Sequence, residues 1–535
     1  MRARTKDIVW VAVVAVGLAG VGCDASEDGT HTTHTAVDAG PTIWSGSDGS
    51  AGRLDSSSGG GADAGSWTGP GDPAGDDRPG EGSADAGPAD AGADKCALRE
   101  TMEPITLYLS ADDSNSMASP AIARRQIREG GGIPTRSYLR TYEFLNYYNV
   151  VYPLPEAGHV NVVPELRAGD EPGEMTLQIG VQAPAPPEQP KDRVITLVLD
   201  TSGSMGGRPM ELERAAARAI AASLEEGDIV SMVEWNTTRT VPLEAYRVRG
   251  PSDPTLIAAI DRLTAGGGTN LAEGLRYGYE IAAAHYDPRK LNRVVLISDG
   301  QANVGVTSEV LIGMHADDAE SDGIYLVGVG VGDGVNDTLM DEVTDAGRGA
   351  YVYVDSAEEA RHLFVDRLDE VMEVSLLEVR LELTLPWYMA VAVFHGEEIS
   401  TDPREVRPQH LAPGDAMVFH QELAACDVDE LSGADTIHAR ATYLRPDGRV
   451  GAADEHEATI DELLARPDVG FARGNAIVAY AEALKQAGDL GGGAEAIAVL
   501  EEARTTVRAA NPGGTDPALT EIESLLDAYI ATLGG

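Results

Sequence analysis

The sequence predicts an α/β protein whose central domain is a doubly wound, mostly parallel sheet inserted into a β-sandwich-like domain. The first observation is that residues 194–199 form a continuous run of β-branched and apolar residues, as in strands that are buried on both faces of a parallel sheet. The second is that strand-like segments alternate with helix-like segments, the latter near 254–263, 270–284, 308–319, 336–345 and 357–372. The third is that shorter segments with a polar–apolar alternation flank this region on both sides. A helical C-terminal tail and a disordered N-terminal tether complete the predicted chain.

The amino terminus has the pattern of a secretory signal segment. Three basic residues precede an apolar run over 8–21, which is too short to span a bilayer comfortably. The run ends in Gly22-Cys23, which resembles a bacterial lipobox, although Gly20 stands where that motif usually has Leu. We therefore expect lipidation of Cys23, with ordinary signal cleavage as the alternative. The expected location is the bacterial cell envelope, periplasmic or at the outer membrane or surface, or secretion if the lipobox is not used.

The segment that follows is composed of Gly, Ser, Ala, Asp, Thr and Pro, with almost no large apolar residue up to about Asp94. Such a composition cannot offset the entropy of ordering the chain, so we expect a flexible tether. At about 5–6 Å × √n, its average reach is roughly 45 Å.

Cysteines are few, with 3 in the whole chain. This count excludes a disulfide-dense scaffold and a Cys-rich zinc module. In an oxidising compartment Cys96 and Cys426 could pair, or remain two inert thiols, and the sequence leaves both alternatives open.

The flanking regions are predicted from periodicity. Alternating segments at 175–181, 378–384, 389–394, 417–423 and 437–443 suggest one sandwich made from two parts of the chain. Helical patterns cover 471–486, 493–509 and 517–533. The predicted divisions are a signal peptide (1–22), the tether (23–95), an N-terminal segment with the first part of the sandwich (96–190), the α/β domain (191–374), the second part of the sandwich (375–455) and the helical tail (456–535).

The charge excludes one class of partner. Lys and Arg total 40 against 87 Asp and Glu, which gives a formal net charge of −47. Such a surface repels phosphate backbones, so we expect no nucleic-acid binding. We expect contact with a membrane through the N-terminal lipid anchor alone.

Five oxygen-bearing side chains follow predicted strands or lie in a Gly-rich loop of the central domain. They are Asp200, Ser202, Ser204, Thr269 and Asp299. Because ligands of such sheets bind beyond the carboxyl ends of the strands, we expect these side chains to meet at that edge. An all-oxygen set without His or thiolate suits Mg²⁺ or Mn²⁺, with Ca²⁺ as an alternative. The alternative reading is that these residues cap helices.

The spacing of these residues resembles a von Willebrand factor A domain with a complete metal-ion-dependent adhesion site, over about 192–373. By that resemblance, Ser202, Ser204 and Thr269 would be direct or switchable ligands, whereas Asp200 and Asp299 would act largely through water. Segments outside the domain, such as Arg124-Arg125-Gln126-Ile127 and 142–148, resemble a family of bacterial envelope lipoproteins that carry this domain.

The function that this resemblance implies is non-catalytic binding of a protein ligand. A partner's exposed Asp or Glu carboxylate would fill an open position on the metal, in adhesion or as part of an assembly scaffold. Residues around the site, Asn270, Gln301 and Asn303, would then set specificity.

Two alternatives remain open at this point. One is an envelope structural or assembly factor that works through its sandwich or helical tail. The other is a metal-dependent hydrolase. The sequence contains no HExxH, GxSxG or Walker A lysine, which speaks against an enzyme.

A second DxSxS pattern occurs at Asp112, Ser114 and Ser116. No Thr and Asp follow it at matching distances, and Ser119-Pro120 opens a helical pattern. We interpret it as turn and cap chemistry.

Overall fold

A computed structural model of the chain describes most of the sequence after residue 101. The described ranges are 102–112, 115–130, 134–156, 158–187, 191–301, 323–347, 349–445, 449, 451 and 453–534. The predicted signal peptide, Cys23, the tether, Cys96, Asn303 and a helix that we expected near 308–319 lie outside these residues.

The strands and helices are numbered in chain order. The strands are β1 (Ile105–Ser110), β2 (Asn161–Ala168), β3 (Glu174–Gln182), β4 (Arg193–Asp200), β5 (Glu226–Trp235), β6 (Arg239–Arg249), β7 (Leu291–Ser298), β8 (Ile324–Val331), β9 (Tyr351–Val354), β10 (Leu376–Leu385), β11 (Met389–Phe394), β12 (Glu398–Ser400), β13 (Gln409–Leu411), β14 (Ala416–Ala425), β15 (Thr436–Leu444) and β16 (Asp454–Thr459). The described α-helices are α1 (Ala118–Arg128), α2 (Thr141–Tyr148), α3 (Arg208–Ala222), α4 (Pro254–Ile260), α5 (Leu271–Ala284), α6 (Asp337–Ala346), α7 (Ala357–Arg361), α8 (Leu368–Met372), α9 (Ile460–Leu464), α10 (Phe471–Leu490), α11 (Ala494–Ala510) and α12 (Pro517–Gly534).

The central sheet has the strand order β6-β5-β4-β7-β8-β9. All neighbouring strands are parallel except β5 and β6, which are antiparallel. Every residue of β4 is buried, because the sheet is covered on both faces. Ile195, Leu197 and Leu199 face a core shared with α3 and α4, whereas Val198 faces a core shared with α5 and α6. The predicted doubly wound α/β fold is therefore confirmed.

Two further sheets are built from strands that precede and follow the central domain. One contains β12-β1-β10-β15-β16, with β13 also paired to β10, and the other has the order β11-β14-β3-β2. Residues such as Ile179 and Phe419 from one sheet and Leu381 and Ile437 from the other share a single buried core. The central domain is thus inserted between the two parts of this sandwich.

The C-terminal region consists of the short helix α9 and the helices α10, α11 and α12, which pack against one another. Helix α10 packs on α2 and on β14, while α12 contacts α1. Apolar residues of these helices belong to the same buried core as β4, including Tyr480 and Leu484.

Some elements differ from the expectation. Strands β6 and β16 are not predicted from the sequence, and β16 occupies the start of the segment that we expected to be helical. The helix expected over 357–372 is divided by a π-helical segment at His362–Asp366. Within the described ranges, no helix is long and apolar enough to cross a membrane.

Candidate metal centre

Asp200 is the last residue of β4, and its carboxylate organises the turn that follows. Its Oδ1 accepts a hydrogen bond of 2.8 Å from the backbone N–H of Ser202, and the carboxylate is fully buried. The hydroxyls of Ser202 and Ser204 lie 3.0 Å apart, so the turn directs both oxygens to one place. Ser202 is buried, whereas Ser204 is exposed, which leaves one side of this pair open to solvent.

Asp299 reaches the same edge from the neighbouring strand. Because β4 and β7 are adjacent and parallel, their carboxyl ends lie side by side. Ser298 ends β7, and its hydroxyl donates a 2.6 Å hydrogen bond to Oδ2 of Asp200. Asp299 is buried, and its Oδ1 accepts a 3.0 Å bond from the backbone N–H of Gln301.

The Gly-rich loop that carries Thr269 is tied to the Asp200 turn by backbone hydrogen bonds. The N–H of Gly203 donates to the carbonyl of Gly267 at 3.1 Å, and the N–H of Gly266 donates to the carbonyl of Thr201 at 2.8 Å. Gly267 has φ +88°, a conformation that side chains disfavour. Thr269 is half-buried in this loop, directly before the N-cap of α5. The structure therefore brings the three predicted loops together.

Several carboxyl groups are buried close together at the centre, and their negative charges destabilise one another. Burial, the largest cause, raises the pKa of Asp200 to about 6, and the nearby Asp299 adds to it, while hydrogen bonds from Ser298 and Ser202 oppose it. Behind Asp200, Glu213 on α3 is fully buried, and burial together with Asp200 raises the pKa of its carboxyl. A cation at this edge would relieve the cost of these carboxyl groups.

The donors fit a hard divalent cation. Two carboxylates and three hydroxyls supply oxygen alone, which is the ligand type that Mg²⁺ and Mn²⁺ prefer. Within the described ranges, at this centre or away from it, no group of three or more His, Cys, Asp or Glu side chains could hold a metal ion. The hydroxyls therefore distinguish this centre from an ordinary acidic cluster.

The rim predicted around the site comprises Asn270, Gln301 and Asn303, and the structure describes the first two. Asn270 is exposed, and its side chain caps α5 by accepting from the N–H of Glu273 at 3.3 Å. Gln301 is exposed and donates from Nε2 to the carbonyl of Gly334 at 3.0 Å. Both also have structural roles that the sequence did not indicate.

Sequence reasoning missed two supporting hydroxyls. Ser298, the residue before Asp299, donates a hydrogen bond directly to Asp200. Thr237, in the turn after β5, accepts from the N–H of Gly268 at 2.6 Å and so supports the Thr269 loop. Nothing in the sequence signals Thr237, because its contact arises from the pairing of distant loops.

The second DxSxS pattern forms a turn. Oδ2 of Asp112 accepts a 2.8 Å bond from the N–H of Ser116 and a 2.7 Å bond from the side chain of Asn146. Asp112 is buried, whereas Ser114 lies outside the described residues. These contacts agree with the interpretation as turn and cap chemistry.

Cys426 follows β14 and forms a disulfide. Cys96 lies outside the described residues, so its pairing with Cys426 stays a prediction.

Comparison with known proteins identifies the fold of the central domain. Residues 195–366 match the family model of the von Willebrand factor type A domain. Domains of this family commonly act in adhesion or protein interaction, are typically non-catalytic and often bind a divalent metal.

Similar proteins cover only part of this chain. The uncharacterized protein sll0103 of Synechocystis is 30% identical over 41% of this chain and 51% of its own length. The uncharacterized protein YfbK of Escherichia coli is 27% identical over 42% of this chain and 38% of its own length. The chain therefore spans about half of the first of these relatives and less than half of the second. A solved structure, a von Willebrand factor type A protein from Catenulispora acidiphila, is 15% identical with a TM-score of 0.45, over 71% of this chain and 97% of that chain.

Proposed function

We propose that this protein binds a divalent cation through Asp200, Ser202, Ser204, Thr269 and Asp299, and through that cation a carboxylate of a protein partner. The observation that carries the proposal is the convergence of three loops at the carboxyl edge of the sheet. In particular, the 3.0 Å Ser202–Ser204 contact and the 2.6 Å Ser298–Asp200 bond fix oxygen donors from adjacent strands.

Magnesium or manganese suits this set best, with calcium as the alternative. When bound, the cation would supply an electrophilic centre that accepts one more oxygen ligand. The hydroxyls of Ser202, Ser204 and Thr269 would contact it, and the carboxylates of Asp200 and Asp299 would orient its water. Because hydroxyl ligands are neutral, the cation keeps more of its charge for a partner's Asp or Glu.

The partner would meet a surface formed by the exposed residues Ser204, Asn270 and Gln301. These side chains are polar and uncharged, so they can donate hydrogen bonds to an acidic partner without repelling it. Asn303, which lies outside the described residues, stays a predicted member of this surface. The protein would act without catalysis, as an adhesion or scaffold protein.

The proposed location is the bacterial cell envelope, with Cys23 as the lipid anchor. The basic, apolar and small-residue pattern of the first 23 residues supports this proposal. The oxygen-only site also suits a compartment in which magnesium and calcium are available.

The decisive measurement is a calorimetric titration of the full chain with MgCl₂. We expect saturable binding that Thr269→Ala and Asp200→Asn weaken at least tenfold. Thr264→Ala is the matched control, because Thr264 is exposed in the same loop.

A second measurement tests the partner. Capture of envelope proteins by the immobilised chain should require Mg²⁺ and should be competed by a peptide that contains aspartate. Capture that persists in EDTA, or that the Thr269→Ala variant retains in full, would refute the proposal.

A further inference from the structure

The turn between β8 and α6, residues 332–336, supports the Asp299 side of the candidate metal centre. The N–H of Asn336 donates to the carbonyl of Asp299 at 2.9 Å, and the carbonyl of Gly334 accepts from Nε2 of Gln301 at 3.0 Å. Between these bonds, Gly300 has φ +64°, and a Cβ there would lie 2.9 Å from the carbonyl oxygen of Asn336. The position of Asp299 therefore depends on where this turn lies.

Arg125 holds the beginning of the turn, although it belongs to α1 and lies outside the central domain. Its Nη1 donates to the carbonyl of Gly332 at 3.0 Å and forms an ion pair of 3.3 Å with Asp333. The same nitrogen donates to the hydroxyl of Tyr353, which itself donates to the carbonyl of Gly332 at 2.8 Å. The side chain of Arg125 is only 11% exposed.

Arg140 holds the end of the turn from the residue before α2. Its Nη2 forms ion pairs with Asp337 at 2.7 Å and Asp341 at 3.1 Å, both on the first turns of α6. Its Nη1 lies 2.8 Å from Glu143. One guanidinium thus lies among three carboxyl groups, two of which, Asp337 and Glu143, are almost completely buried.

Arg125 and Arg140 thus hold the two ends of the turn, although both precede the central domain by more than fifty residues. Removing Arg140 would leave the carboxyl groups of α6 and Glu143 without their shared hydrogen-bond donor and cation, which costs free energy whether these groups stay charged or take up protons. The N-terminal end of α6 would then move away from α2, and Asn336 would move with it. Residues that orient ligands in this way affect metal affinity without touching the metal.

We propose that Arg125 and Arg140 are positioning residues of the metal centre, which they act on through the 332–336 turn and Asp299. The inference rests on the proposed function and extends it, because it makes the N-terminal segment part of the binding apparatus.

The test compares the full chain with the double variant Arg125→Met/Arg140→Met. We expect the Mg²⁺ affinity to fall roughly tenfold to a hundredfold, as for other residues that orient metal ligands. Without metal, the amides of Gln301 and Asn336 should exchange faster with deuterium, whereas those of β4 should be unchanged. Arg136→Met is the matched control, since Arg136 lies in the same segment and pairs with Asp489 at 2.6 Å.

The exchange measurement needs no metal, so it separates the two proposals. If the wild-type chain binds no Mg²⁺, the proposed function fails, and this inference falls with it. If the wild type binds Mg²⁺ but the double variant binds equally well with unchanged exchange, only the positioning role is refuted.

A double variant that unfolds would also lose the protection of β4. In that event Arg125→Lys and Arg140→Lys decide, because lysine keeps the charge without the forked donors. We expect each lysine variant to fold and to bind Mg²⁺ more weakly than the wild type. Wild-type affinity in both would overturn the proposal.

Discussion

Two neighbouring histidines at the junction of the sandwich and the helical tail have pKa values shifted in opposite directions. The rings of His395 and His420 lie 5.6 Å apart. His420 is buried, with Nδ1 at 3.0 Å from Oε1 of Gln178, and burial, with a smaller effect of His395, lowers its pKa to about 3. Burial opposes protonation of His395 too, but Glu422 and Glu482 outweigh it and raise that pKa.

We therefore predict that His420 lowers the stability of the folded protein in acid, because its neutral form is favoured in the folded state. Its folded pKa lies below the unfolded value of about 6.5, so its contribution is complete above pH 6.5 and is lost as the pH falls towards 3. His395, with a raised pKa, contributes fully below pH 6.5 and loses that contribution at higher pH, so it does not add to the acid loss. At pH 5 the cost from His420 is roughly 2 kcal/mol.

The variant His420→Gln keeps an amide beside Gln178 but cannot be protonated. Urea unfolding at pH 7 and pH 5 should therefore show a smaller decrease in unfolding free energy for the variant, by roughly 2 kcal/mol. His285→Gln, with a partly exposed ring, controls for the loss of an imidazole. Equal decreases in the wild type and His420→Gln would show that His420 is protonated in the folded protein.

At the scale of elements, the sequence predicted best where burial dictates composition. The run 194–199 consists of β-branched and apolar residues because β4 is covered on both faces, and this composition with its short length identifies the strand. Strand β6 escaped prediction because it is an edge strand with mostly exposed or half-buried residues, including Pro242, and with φ +45° at Ala245. Strand β16 escaped because Asp454-Glu455-His456-Glu457 carries no apolar alternation.

The sequence also predicted part of the candidate metal centre, but not all of it. Asp200 ends a strand, and Ser202, Ser204 and Asp299 follow strands, so the edge at which they meet could be inferred from topology. Thr269 does not follow a strand, and its position depends on hydrogen bonds between loops. The supporting contacts of Ser298 and of the 332–336 turn arise only from tertiary packing.

The packing of helix α5 against the central sheet influences the position of the Gly-rich loop that carries Thr269. Gly274 and Gly278 face the sheet, and a Cβ at these positions would lie 2.4 Å from the ring of Trp235 and 2.3 Å from Val198, respectively. Glycine inside a helix costs about 1 kcal/mol relative to alanine, so this close approach explains why it occurs twice. Because α5 begins two residues after Thr269, its distance from the sheet also positions the Gly-rich loop.

We therefore expect Gly278→Ala to push α5 outward. Overpacking should lower the unfolding free energy by roughly 1–3 kcal/mol, and displacement of Thr269 should weaken Mg²⁺ binding. Urea denaturation and calorimetry measure the two effects. A fully stable Gly278→Ala variant would contradict the packing argument.

At the scale of the whole molecule, the central domain shares its core with the segments before and after it. One continuous set of buried residues includes Leu139 and Phe144 of the N-terminal segment, Leu197 of β4 and Tyr480 of α10. The rings of Phe144 and Tyr480 meet edge to face, with centroids 5.5 Å apart. Such continuity favours unfolding as one cooperative unit rather than as a metal-binding domain on an independent support.

Tyr480→Ala tests this cooperativity. Loss of a fully buried ring should cost roughly 3–5 kcal/mol. If the core is one unit, the slowest-exchanging amides of β4 should lose protection by the same free energy as those of α10. Tyr480→Phe is the matched control: the hydroxyl of Tyr480 has no hydrogen-bond partner within the described ranges, so its removal should leave stability equal or higher. Unchanged protection of β4 in Tyr480→Ala would instead mean that the tail unfolds separately, and the helical tail would then be free to act as an interaction module of its own.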